Sequence, residues 1–123
     1  MIINRECVLL LLDDEPLILM DLEFAAEDLG CKVFAASSLN QGLELLRENG
    51  QTIEAAVLDV TLQDGDTCLP LARKLEEADI PYIIHSGDLD RHDEQIRALD
   101  APLIAKPASA TKVIEAAKAR RKS

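Results

Sequence analysis

Val8 to Leu12 is an uninterrupted apolar run that closes on Asp13, Asp14 and Glu15. It is far short of the ~20 apolar residues that a membrane span takes. It also lacks the longer apolar stretch and small-residue cleavage site of a signal peptide. A short apolar run with polar residues at both ends reads as a strand buried on both faces. Such a strand needs helices above and below it, and the rest of the chain has to supply them.

The chain supplies them by alternation. Pro16, suited to a first helical turn, opens a stretch with Ile18, Leu22, Ala25, Ala26 and Leu29 at helical spacing, and Gly30 ends it. Residues 31–36 read as a second strand. Ser38 and Gln41 form a capping box ahead of a helix with Leu39, Leu43 and Leu46 on one face, stopped by Gly50. Residues 55–58 are a third buried strand ending at Asp59. A polar loop with Gly65 leads to a helix over about 68–78, with Ala72 and Leu75 inward. Residues 81–84 are a fourth strand and 103–105 a short fifth. A last helix starts near Ser109, with Val113, Ile114 and Ala117 inward. The charge-dense segment between Ser86 and Pro102 reads as a short helix anchored by Leu89, Ile96 and Leu99. Five strands alternating with five helices predict an α/β fold, a doubly wound parallel sheet with right-handed crossovers.

At 123 residues the chain is one domain, and two-domain enzymes and large barrels are excluded. Aromatic residues make up 2% with no Trp, so no base-stacking platform can be built. A net charge of −10 also argues against nucleic acid, whose phosphates need clustered Lys and Arg. Cys7, Cys31 and Cys68 form no C-x-x-C pair, and only His85 and His92 could complete a zinc site. They read as buried free thiols in a reducing cytoplasm. Of the thirteen basic residues, Lys112, Lys118, Arg120, Arg121 and Lys122 gather at the end of the chain. They read as cations complementing a helix C-terminus, or as a docking contact for an acidic partner.

In sheets of this kind the ligand site lies at the carboxyl ends of the strands. Strand one ends in Asp13 and Asp14, strand three in Asp59, strand four in His85, Ser86 and Gly87, and strand five in Lys106 and Pro107. Folding would gather three carboxylates, a hydroxyl and an ammonium. Carboxylates that close raise one another's pKa unless a cation shares them. Mg²⁺ suits, since it takes one or two carboxylates plus a phosphate oxygen and keeps several waters. A metal with a lysine clamps a tetrahedral anion, as phosphoryl transfer requires, and the remaining carboxylate can be the nucleophile.

The residues Leu11 to Glu15, Leu58 to Gly65, Ser86-Gly87 and Lys106-Pro107 resemble the receiver domain of two-component response regulators, over nearly the whole length. The resemblance implies the flavodoxin-like strand order 2-1-3-4-5. It implies a single receiver domain without an output domain, acting in the cytoplasm through protein contact or phosphate relay. Asp59 would accept a phosphoryl group from a phosphohistidine on a sensor histidine kinase or histidine phosphotransfer protein. Asp14, Asp59 and the backbone carbonyl of Thr61 would bind Mg²⁺, with Asp13 acting mostly through water. Ser86 would swing toward the phosphoryl group and Lys106 would pair with one of its oxygens, the Lys106–Pro107 bond being cis. The segments Cys68 to Arg73 and Asp79 to Gly87 are similar to small stand-alone receivers of alphaproteobacteria.

Several positions depart from that pattern. Leu103 replaces the usual switch aromatic, Gln63 stands where Pro is common and Thr67 where Gly is common. Thr61 and Asp88 occupy positions that tune hydrolysis in the family. One alternative is a phosphorylation-independent interaction module. Another is a phosphatase or a nucleotide or flavin binder. Strand one, however, is followed by no glycine-rich loop, and an Asp-nucleophile phosphatase wants an acid where Thr61 stands.

Overall fold

The computed structural model describes residues 7–60, 62, 66–87, 98–99 and 101–121. Five strands, β1 (Cys7–Leu12), β2 (Cys31–Ala36), β3 (Ala55–Leu58), β4 (Tyr82–Ser86) and β5 (Leu103–Ala105), form one sheet. Its order is β2-β1-β3-β4-β5, and every pairing is parallel. Four helices are present among the described residues: α1 (Pro16–Asp28), α2 (Leu39–Asn49), α3 (Leu69–Glu77) and α4 (Ala110–Arg120). The short helix expected between Ser86 and Pro102 falls largely on residues 88–97 and 100, outside the described ones.

Side-chain alternation along β1 divides the interior into two cores. Val8, Leu10 and Leu12 pack with Leu46 of α2 and Leu71, Ala72 and Leu75 of α3. Cys7, Leu9 and Leu11 pack with Leu22, Ala25 and Ala26 of α1 and Val113, Ile114 and Ala117 of α4. The uninterrupted apolar run follows from this arrangement, because both faces of the strand are covered. No helix among the described residues is long and apolar enough to cross a membrane.

The helix ends follow local chemistry. Gly30 takes φ +79° after α1, a conformation in which an L side chain is strained. The Ser38 hydroxyl accepts from the Gln41 N–H at 3.2 Å, while the Gln41 side chain takes the Ser37 N–H, one residue before the expected partner. Gly50 follows α2 in a right-handed conformation, without the positive φ of a glycine cap, and a Cβ there would lie 2.7 Å from the Leu46 carbonyl oxygen, so a side chain is disfavoured at this position. The Ser109 hydroxyl caps α4 through the Lys112 N–H.

Two expectations need correction. Cys7 and Cys31 are joined in a disulfide, with Cα atoms 4.5 Å apart, whereas Cys68 stays a buried thiol. The cause is register: β1 and β2 are neighbours, Cys7 opposes Cys31, and both side chains enter the same core. Strand four begins one residue later than expected and extends through His85 and Ser86, which are strand residues and not a following loop. In the C-terminal basic group, Lys118 donates to the Leu29 carbonyl at 2.9 Å and Arg121 pairs with Glu54 at 3.4 Å. Both are spent on holding α4 in place.

Candidate metal and anion site

Three backbone hydrogen bonds bring the strand ends into line. The Asp13 N–H donates to the Ala36 carbonyl at 3.1 Å, the Asp59 N–H to Leu12 at 2.9 Å, and the Lys106 N–H to Ser86 at 2.8 Å. Residues that follow three different strands are thereby gathered at one edge. Asp13 is 1% exposed and Asp59 4%. Carboxylate oxygens of Asp13, Asp14 and Asp59 all lie within 4.8 Å of one another. The Lys106 Nζ sits 3.2 Å from Asp13 Oδ2 and 3.3 Å from Asp59 Oδ1, with Glu15 Oε1 at 3.8 Å. Asp13 Oδ1 also accepts the Glu15 N–H at 2.9 Å, so this carboxylate fixes the turn into α1 as well as facing the pocket.

The electrostatics follow from burial and like charge. Desolvation, then the Asp13 charge, pushes Asp59 up to about 7, although Lys106 pulls it the other way. Burial raises Asp13 too, against the Glu15 N–H and Lys106. For Lys106 burial alone would lower the pKa, but Asp59 and Asp13 together outweigh it and the net direction is upward. One ammonium is thus shared by two carboxylates, with a third alongside. An all-oxygen set with unneutralised charge fits a hard divalent cation, so the residues present suit Mg²⁺.

Asp13, Asp14, Asp59 and Lys106, all named from the sequence, come together here. Ser86 ends β4 and is fully buried, its hydroxyl without a hydrogen-bond partner among the described residues. Thr61, Asp88 and the departure at Gln63 lie outside the described residues. The Lys106–Pro107 bond is cis, as expected. Leu103 is half-buried against the α2–α3 core.

Sequence reasoning placed His85 at the end of strand four and among possible zinc ligands, without giving it a role in the site. The structure buries it at 4% exposure, and neither ring nitrogen has a hydrogen-bond partner among the described residues. Burial, then the nearby Lys106 charge, lowers its pKa to about 4. The available signal was a polar residue directly after the apolar run Tyr82 to Ile84.

No protein-family model matches the chain, and no curated protein sequence does. Solved structures do. The solution structure of SdrG from Sphingomonas melonis is 31% identical, covering 93% of this chain and 95% of that one, with a TM-score of 0.76. A response regulator receiver protein from Sinorhizobium medicae is 28% identical, covering 96% and 98%, with a TM-score of 0.79. The receiver domain of the PhyR response regulator from Erythrobacter litoralis is 25% identical, covering 96% and 94%, with a TM-score of 0.77.

Proposed function

The chain belongs to the receiver-domain family of response regulators, and from that premise we propose that it is a signalling phosphoacceptor in which Asp59 takes the phosphoryl group. The observation that carries this reading is the shared ammonium, with Lys106 Nζ within 3.3 Å of both Asp13 and Asp59 at the carboxyl edge of the sheet. In the proposed reaction an Asp59 carboxylate oxygen attacks the phosphorus of a phosphohistidine. The new O–P bond forms as the P–N bond breaks, and the departing imidazole nitrogen picks up a proton.

Asp59 must be ionised to attack, and its pKa of about 7 leaves a substantial protonated fraction at neutral pH. Asp13, Asp14 and Asp59, with the Thr61 carbonyl, would hold Mg²⁺, which supplies positive charge to the acidic cluster and to the transferring group. Lys106 would exchange its Asp59 contact for a phosphoryl oxygen, and the Ser86 hydroxyl would donate to another. Burial of Asp13 and Asp59 keeps these charges in a poorly screened setting, where a fixed cation acts strongly.

The donor would be a sensor histidine kinase or a histidine phosphotransfer protein, and the proposed setting is the cytoplasm. Output would pass by protein contact or phosphate relay, and with Leu103 where the family has an aromatic it would use another reporter. The test is intact-protein mass after incubation with acetyl phosphate and Mg²⁺, with Asp59→Asn in parallel. One phosphoryl adduct is expected in the wild type, absent in the variant and absent with chelator. An adduct that persists in Asp59→Asn would overturn the assignment.

A further inference from the structure

The inward face of α1 carries Leu22, Ala25 and Ala26, which are buried in the α1–α4 core. Its outward face is apolar as well. Leu17, Met20 and Phe24 are 72%, 41% and 57% exposed, and among the described residues they are the large hydrophobic side chains that the fold leaves exposed. Their spacing along the helix puts them in one straight stripe. At the helical repeat Asp21 and Asp28 border that stripe on one side and Glu27 on the other, and all three are exposed. No Lys, Arg or His occurs in the helix.

Neither feature serves the chain on its own. Single exposed apolar residues are ordinary, but a contiguous apolar patch marks an interaction surface. Glu27 and Asp28 lie in the last turn, where the helix dipole disfavours negative charge. Lys118, which reaches that end of α1, donates to the Leu29 carbonyl instead of pairing with either acid. A partner that covers the stripe has to answer both features. An apolar seam of this spacing on a convex helix matches the seam of a second helix. The acids along its borders call for Lys or Arg beside that second seam. Nucleic acid and anionic lipid carry the wrong sign. A second copy packing α1 against α1 would oppose acid to acid.

We propose that the outer face of α1 is a docking surface for a basic amphipathic helix of another protein. Its apolar seam would lie on Leu17, Met20 and Phe24, and its flanking Lys or Arg on Asp21, Glu27 and Asp28. The inference does not rest on the phosphoacceptor reading, because Glu27 and Asp28 belong to the last turn of α1 whereas Asp13 and Asp14 precede the first. The test titrates the full chain with a synthetic peptide of about four helical turns, with Leu along its seam and Lys on both flanks. A twin peptide carries Glu in place of Lys, and NMR follows the Leu17 and Met20 methyls. The Lys peptide is expected to bind saturably and about tenfold tighter than its twin, the difference shrinking as salt rises. Phe24→Ser is expected to weaken it by about tenfold. Glu27→Lys combined with Asp28→Lys is expected to reverse the preference. Amide spectra report that each variant is folded, and Asp59→Asn is expected to bind the Lys peptide as the wild type does. Equal binding of the two peptides, shifts that map away from α1, or binding unchanged in Phe24→Ser would overturn the proposal. So would self-association of the chain, or its binding to phosphatidylserine vesicles, that Phe24→Ser abolishes.

Discussion

Asp59 is held between a like charge and an opposite one, and its behaviour depends on which dominates. Burial and Asp13 win over Lys106, giving a pKa of about 7. Without metal, a carboxyl carbon titration by NMR is therefore expected to put the Asp59 midpoint near 7, not near the ordinary carboxylate value. Lys106→Met removes the nearest cation and should move that midpoint further up. Mg²⁺ should move it down, since a cation favours the charged form. A midpoint near 4 in metal-free wild type would show that solvent, not burial, governs the site. Lys106→Met is also expected to retain Mg²⁺ affinity while accepting phosphoryl groups poorly, because it loses the anion clamp and its Asp59 is protonated more readily. Phosphorylation of that variant at the wild-type rate would contradict the role given to Lys106.

At the level of elements, the sheet explains both what the sequence discloses and what it hides. The catalytic candidates were legible because each follows its own strand, and parallel α/β sheets collect strand ends at one edge. Asp13, Asp59 and Lys106 could thus be grouped from sequence alone. The Cys7–Cys31 bond could not. It depends on β2 lying beside β1 in register, and strand adjacency is not a local property of either segment. The burial of His85 was not legible for a related reason. A polar residue after an apolar run reads as the end of a strand, whereas β4 continues through it and through Ser86. A bond closing about 25 residues of chain stabilises by about 3.5 kcal/mol in the chain-entropy account. Reduction with dithiothreitol is therefore expected to lower the thermal midpoint of the oxidised protein and to raise the titratable thiols from one to three. A midpoint insensitive to reductant in Cys7→Ser and sensitive in the wild type is the matching control. Equal sensitivity in both would rule out this bond as the source.

For the whole molecule, two buried groups pull stability in opposite directions with pH. Asp59 has a folded pKa raised from 3.8 to about 7, so between those values the native state holds the extra proton and stability falls as pH rises. His85 has a folded pKa lowered from 6.5 to about 4, so there the unfolded state holds the extra proton and stability rises with pH. Each contributes a slope of at most about 1.4 kcal/mol per pH unit, and between pH 4 and 6.5 the two oppose. Denaturant unfolding of metal-free protein should consequently fall more steeply with pH in His85→Leu than in the wild type across that window. Asp59→Asn should be more stable than the wild type above pH 7 and lose that advantage toward pH 4. Parallel profiles for all three proteins would refute the assignment of these shifts. Mg²⁺ at the proposed site would bind only the folded cluster, so at tenfold excess over its dissociation constant it should add about 1.4 kcal/mol. Thermal midpoints with chelator and with Mg²⁺ check this, and an unchanged midpoint would count against a metal at Asp13, Asp14 and Asp59.

The central claim is that Asp59, and no other carboxylate of the cluster, carries the phosphoryl group. Borohydride reduction of the phosphorylated chain, followed by peptide mass mapping, tests it most directly, because an acyl phosphate is reduced to an alcohol while free carboxylates survive. The account predicts homoserine at position 59, formed only when Mg²⁺ and phosphodonor were both present. Homoserine at position 13 or 14 instead, or none at 59 in a sample bearing the adduct, would contradict it.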